Sequence, residues 1–478
     1  MNDNSNDLRR ADAGGRPAVS AEIGFTTGAL LIVANMIGVG VFTTTGYMVD
    51  ALHSPAAILV AWLVGGIAAY CGALVYAELG SALPRNGGEY QLLSRIFHPA
   101  LGFMAGWVSL IVGFAAPLAA FSSKFGDYLA ALDFPASPRV SGLVLIGALA
   151  VLHSVHVATG SRTHNAFSIG KIVLILVFIV AGLAWGDMSR LAEGDQAWGK
   201  VVRSPLFAIQ LVYVSFSYTG WNTAAYLAGE FRNPTRDVPR AVLAGTALVA
   251  VLYLGLNVVF LASAPMNVLA DKANVGEVGR VAAIGLFGPD AGKLMTLLIA
   301  LGLVSAASAN SMAGPRVYEA MGFDYPILKS LTHRRAGGGP VVAILLQSGL
   351  AAVMLLTASF ETLLSYIGLT LSLVAALTVA GVIVLRVREP ALPRPYRTWG
   401  YPVTPLIFLA LEGWMVYFLV QRDVAAVSGA LANGKGWWEL LLLIARQPAA
   451  VSMATLAVGL LLYVLVRPRK NESGDPGA

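Results

Sequence analysis

About twelve stretches of this chain, spread from Ile23 to Val466, are continuously apolar over close to the length a helix needs to cross a bilayer. No other feature narrows the fold so much. In hydrocarbon every backbone N–H and C=O must be satisfied inside the protein, and runs of this length satisfy them as helices. The spans read from the sequence are 23–48, 56–79, 100–122, 140–157, 167–186, 206–229, 241–264, 294–313, 341–358, 362–385, 404–420 and 449–466. Only 12% of the residues are charged and 57% are apolar. A soluble domain carries about 25% charged residues, so water is not the main solvent of this chain. Residues 436–445 and 281–288 are apolar but too short to span, and both are expected to lie at the interface.

With the N-terminus placed in the cytoplasm, the even-numbered connections and both tails hold 20 of the Lys and Arg residues, against 11 on the other side. That bias orients the chain with both ends inside. The net charge of +6 is explained by these loops rather than by a nucleic-acid surface. The basic strip Leu385–Arg397, LRVREPALPRPYR, reads as a solvated linker with the same orienting role. Residues 1–22 are polar and lack the apolar core of a signal peptide, so 1–22 and 467–478 are expected as cytoplasmic tails. The single cysteine, Cys71, lies inside a span, which excludes an internal disulfide and a cysteine-based metal cluster.

Two spans are interrupted near their centres. Span 1 contains Gly38-Val39-Gly40, and span 6 contains Ser217-Tyr218-Thr219-Gly220-Trp221-Asn222. Interruptions at matching positions of two halves point to an inverted-repeat transporter, with the halves at 23–187 and 204–387 and spans 11 and 12 appended over 403–466. Unwound backbone frees amides that hold a carboxylate and carbonyls that hold an ammonium group. An amino acid supplies both ends. The glycine pair alone reads more readily as tight helix packing. The cluster Phe216, Tyr218, Trp221 and Asn222 favours a site, since a mid-membrane asparagine is costly without a partner. Lys171 in span 5 either snorkels to the surface or bonds the carbonyls of unwound span 1.

Other intramembrane polar groups say less. Glu412 in span 11 lies outside the expected core, and His153 and His156 in span 4 read as structural. No acidic residue neighbours either break in the sequence, which tilts the substrate toward neutral amino acids. There is no GxSxG, HExxH or paired aspartate within a span, so nothing supports an enzyme. No cofactor and no metal are expected.

On the segments MIGVGVF, PRNGGEYQLLSRIFHPALGFMAGW from Pro84, NAFSIGK from Asn165, FSYTGWNTAAYLAGEFRNPTRDVPRA from Phe216, GPRVYEAM from Gly314 and LPRPYRTWGYPVTP from Leu392, the chain resembles the amino acid–polyamine–organocation superfamily. Within it, the chain is similar to bacterial relatives of the L-type amino acid transporters. The resemblance implies an all-α integral membrane protein with a LeuT-type 5+5 inverted repeat and about twelve transmembrane helices. It implies a substrate site at Met36, Ile37, Gly38, Val39, Gly40, Phe216, Ser217, Thr219, Gly220 and Asn222, with Phe216 and Trp221 gating and Lys171 coupling. Two departures matter. Val39 stands where the family has Ser or Thr, and Thr219 where some relatives have glycine, which shrinks the pocket toward small substrates. Animal relatives join a heavy chain through a cysteine after span 3, and the loop near Asp133–Arg139 has none, so no disulfide-linked heavy chain is expected.

The expected function is therefore sodium-independent exchange or facilitated transport of small neutral L-amino acids by alternating access, in a bacterial cytoplasmic membrane. The alternatives are a proton-coupled carrier of cationic amino acids or polyamines, and a sensor that binds without transporting.

Overall fold

The computed structural model describes residues 23–155, 161–193, 198–271, 274, 276–334 and 339–466. Ten of its helices are long and apolar enough to cross a membrane, counting each of Phe25–Leu52 and Pro99–Ala130 as one. Pro205–Tyr218 and Val341–Thr357 are apolar and shorter, and with them the described residues form twelve spans. Span 1 is Phe25–Leu52, span 2 Pro55–Ala82, span 3 Pro99–Ala130 and span 4 Pro138–Val155. Span 5 is Ser161–Trp185, span 6 begins at Pro205, span 7 is Pro234–Ser263 and span 8 Pro289–Asp324. Spans 9 to 12 are Val341–Thr357, Phe360–Arg388, Val403–Ala432 and Pro448–Val466. Apart from isolated bridges at Ile23–Phe231 and Arg334–Pro340, no strand pairing occurs among the described residues. The fold is all-α, of the LeuT type expected.

Local chemistry sets the ends of the spans. Ser54, Ser204 and Ser359 accept the amides of Ala57, Phe207 and Thr362, and Pro55 and Pro205 follow two of these caps. A serine cap with proline next satisfies orphan donors without wasting an N–H. Spans 8 and 11 run on to Asp324 and Ala432, beyond the 313 and 420 expected from hydropathy. Hydropathy stops at the first charged residues, whereas helical hydrogen bonding continues past the hydrocarbon. Span 3 widens into π turns at Ser109–Ala115, just before Pro117. Proline there has no N–H to return to the preceding turn, and the wider turns absorb the mismatch.

The apolar outer faces confirm the solvent. Val173, Val177 and Val180 of span 5 and Leu461, Val464 and Leu465 of span 12 point outward, as lipid requires. The polar groups turn inward. His153 bonds Ser308 at 3.0 Å in the packed interior, and His156 lies outside the described residues.

The structure refines three sequence expectations. The strip Leu385–Arg397 is largely exposed, as expected of a solvated linker, but two of its arginines are tied into the bundle. Arg386 grips Glu78 of span 2 at 2.6 and 2.9 Å, Arg394 lies 3.3 Å from the same carboxylate, and the Thr398 amide donates to it at 2.6 Å. The Arg386 guanidinium also stacks on Tyr401, 3.8 Å from the ring centre. The stretch at 281–288 belongs to the helix Val278–Phe287, whose Val278, Val281, Ala282 and Ala283 are buried against spans 1, 7 and 8. Residues 436–445 do form a short helix, Trp437–Ile444, with Trp437 and Trp438 exposed.

Span 1 breaks at 37–39 and span 6 at 219–222, and the two broken spans run against each other. Gly40–Leu52 packs on Pro205–Tyr218, while Phe25–Met36 meets Thr223–Tyr226. The breaks therefore share one level in the molecule, and the cavity lies there.

Candidate functional site

Gly40 and Gly220 explain why the breaks can meet. A Cβ on Gly40 would sit 2.7 Å from Ser217 Cα, so a side chain there would push span 1 off span 6. Gly220 has φ +113, and a Cβ there would sit 3.0 Å from the backbone of Asn35 and Met36, a geometry and a clearance that favour glycine. Gly40 thus packs span 1 on span 6 and also lines the cavity.

Beyond the break, span 1 restarts at Gly40. The amides of Val39, Gly40 and Val41 have no hydrogen-bond partner among the described residues, whereas the Gly38 amide turns back to the Met36 carbonyl at 2.8 Å. Free amides at a helix start carry partial positive charge and suit an anion. Span 6 supplies the complement. Its Phe216 carbonyl is taken by Thr219 N and Oγ1, at 3.0 and 2.7 Å, but the carbonyls of Tyr218 and Thr219 accept no bond among the described residues. Carbonyls at a helix end suit a cation.

Both breaks face one cavity of about 660 Å³. Met36, Gly38, Val39, Gly40, Phe216, Ser217, Thr219, Gly220, Trp221 and Asn222 all line it. Ile37 does not; it lines a second, small cavity of about 40 Å³ together with Lys171. There the Lys171 ammonium donates to the Ile37 carbonyl at 3.0 Å. Lys171 thus bonds unwound span 1 rather than snorkelling to the surface. Trp221 is wedged edge-on against Tyr76, ring centres 4.7 Å apart, with Phe408 on another side at 6.4 Å.

The structure adds residues the sequence did not single out. Tyr253 of span 7 reaches both breaks, its hydroxyl lying against the carbonyls of Met36 and Ser217. One proton serves two acceptors, so the hydroxyl donates to one at a time. Glu89, from the PRNGGEY segment, accepts from Asn222 Nδ2 at 2.6 Å and Tyr76 at 2.9 Å. The expectation that no acid stands beside a break is therefore wrong in space. Glu89 is far from Gly220 along the chain, and the turn at Asn86-Gly87 delivers it: Gly87 N donates to the Tyr226 carbonyl and Asn86 accepts from Gly229 N. Glu412 also departs from expectation. It lies in the packed core and lines the cavity. The stripe Phe408, Glu412, Met415 and Leu419 is buried at helical spacing, so Glu412 faces the bundle, not lipid.

The cavity is open on one side. On that side its lining reaches Asn86, Glu230 and Arg334 at even-numbered connections, and Arg316 about two turns inside the end of span 8. Arg316 pairs with Glu230 at 3.2 Å, and Arg334 pairs with Glu319. Toward the odd-numbered connections the path is shut. Thr44 and Ser217 hydroxyls meet at 2.9 Å, the Tyr47 and Tyr213 rings lie 6.2 Å apart, and Tyr213 donates to Glu361 at 3.1 Å.

Comparison with known proteins agrees with this geometry. The pattern of the family described as amino acid permease matches residues 23–445. The chain is 29% identical to the large neutral amino acids transporter small subunit 2 of Homo sapiens, over 88% of this chain and 79% of that protein. It is 29% identical to the serine/threonine exchanger SteT of Bacillus subtilis, over 81% of this chain and 89% of that one. With the Asc-type amino acid transporter 1 of Mus musculus the identity is 28%, over 84% and 77%. This chain belongs to the amino acid permease family.

Proposed function

We propose that the protein exchanges small neutral L-amino acids across a membrane by alternating access, without sodium. The observation that carries this reading is that unpaired amides of span 1 and unpaired carbonyls of span 6 face one cavity. The substrate carboxylate sits on Val39 and Gly40, and its ammonium on the span 6 carbonyls. Phe216 and Trp221 flank the break and act as gates. Similarity to a serine/threonine exchanger and to neutral amino acid transporters supports the substrate class.

Lys171 accounts for the independence from sodium. Its ammonium already stands between span 5 and the Ile37 carbonyl. A bound cation there would meet a like charge. The two halves, 23–187 and 204–387, are the inverted repeats that move against each other. Both tails lie in the cytoplasm, so the open mouth faces inward, and a bacterial cytoplasmic membrane fits the basic connections. Cys71 is buried in span 2, so a disulfide-linked partner has no anchor.

The test is uptake of radiolabelled alanine and serine into proteoliposomes holding the full chain. Uptake should need internal amino acid and ignore a sodium gradient. Uptake of arginine or putrescine driven by a pH gradient, with none of alanine or serine, would overturn the proposal.

A further inference from the structure

Spans 2, 10 and 11 pack on one another and together line a part of the cavity, here a lobe, whose residues are not those of the backbone site. Ala68 and Ala69 of span 2, Ser372 and Ala375 of span 10, and Phe408 and Glu412 of span 11 line it. Glu412 is 5% exposed, and its Oε2 has no hydrogen-bond partner among the described residues. Ser372 is close enough to interact with the same carboxyl. The other charged residues lining the cavity are Glu89 beside Asn222 and, at the mouth, Glu230, Arg316, Glu319 and Arg334. None of the four lobe residues besides Glu412 and Ser372 is polar.

A carboxyl oxygen left unpaired in a packed membrane core is costly, and its complement is a hydrogen-bond donor. The lobe adjoins the backbone site. Phe408, one turn before Glu412, touches Trp221 of the span 6 break, and Met415, one turn after, takes a contact from Ser215 at 3.5 Å. A substrate held by its carboxylate and ammonium at the breaks therefore has this lobe within the same cavity for its side chain. Lysine and arginine heads bring several donors that all need acceptors, and the lobe offers one carboxyl and one hydroxyl among alanines and an aromatic ring. A hydroxyl or carboxamide matches that supply better.

We propose that Glu412, assisted by Ser372, forms a side-chain subsite that selects amino acids bearing a neutral hydrogen-bond donor, such as serine, threonine and asparagine, over alanine. The subsite rests on the proposed transport reading and names its substrate class. Loss of one neutral hydrogen bond corresponds to a change of about fivefold in a binding ratio. In proteoliposome exchange, Glu412→Met should lower the serine-to-alanine ratio of kcat/KM by roughly that factor, and Glu412→Gln by clearly less. Ser372→Ala should shift the ratio in the same direction and serves if Glu412→Met fails to fold. An unchanged ratio, or a parallel loss of serine and alanine exchange, overturns the subsite. So does a parent protein that prefers lysine to serine. If the parent exchanges no amino acid, the transport reading fails instead. Titration of serine and alanine onto the detergent-solubilised parent, Glu412→Met and Ser372→Ala then reads the subsite alone, and equal serine-to-alanine affinity ratios in all three overturn it.

Discussion

Lys171 and Tyr253 hold open a backbone that would otherwise close on itself. Each satisfies a carbonyl that the break in span 1 has released, Ile37 in one case and Met36 in the other. A charged donor to a buried carbonyl contributes about 1.5–3 kcal/mol, and leaving the carbonyl bare costs a similar amount. Lys171→Ala should therefore cut the initial rate of alanine exchange about tenfold or more, while Lys171→Arg, which keeps a donor and the charge, retains a larger share. Radiotracer exchange at matched protein loading measures this, and parent-like rates in both variants would remove Lys171 from the mechanism. The sequence showed Lys171 as an anomaly because a cation inside an apolar run is conspicuous. Tyr253 was invisible, since a tyrosine in a membrane helix looks like any packing aromatic until its hydroxyl is located. Glu89 escaped for a different reason. It sits in a polar connection where acids are ordinary, and only the fold carries it to Asn222.

At the scale of elements, the spans themselves were legible because hydrocarbon allows so few backbone solutions. The breaks were legible too, since Gly40 and Gly220 stand where lipid-facing sequence would use large residues. What hydropathy does not report is how the ends of spans are tied together. Glu78 gathers Arg386, Arg394 and the Thr398 amide, binding span 2 to span 10 and to the connection that follows it. The Glu78 carboxylate is 1% exposed and the Arg394 side chain 6%. Removing one partner of such a buried group leaves charge uncompensated, at a cost of about 3–5 kcal/mol. Glu78→Ala should lower the thermal unfolding midpoint of the detergent-solubilised protein well below that of Glu78→Gln, which keeps an acceptor for the Thr398 amide. Equal midpoints for Glu78→Ala and the parent would show the cluster to be incidental. A string such as LRVREPALPRPYR looks solvated because four arginines share it with the single acid Glu389; the acid that takes Arg386 and Arg394 comes from a helix some 300 residues earlier.

The molecule as a whole is asymmetric, and that asymmetry is what a carrier needs. One end of the cavity is lined by paired charges around an open mouth, and the other is sealed by Thr44, Ser217, Tyr47 and Tyr213. The Thr44–Ser217 and Tyr47–Tyr213 contacts join the second half of span 1 to the first half of span 6, and Tyr213 is tied on to Glu361 of span 10, so separating those segments would open the opposite path. The sealed and open ends converge on the same unpaired amides and carbonyls, which makes recognition of both ends of an amino acid the central claim. Calorimetric titration of the purified full chain with L-alanine, propionate and ethylamine tests it most directly, because the last two each lack one of those ends. The account predicts saturable binding of alanine, with propionate and ethylamine each weaker by at least about tenfold. Binding of either fragment as tight as that of alanine would contradict it.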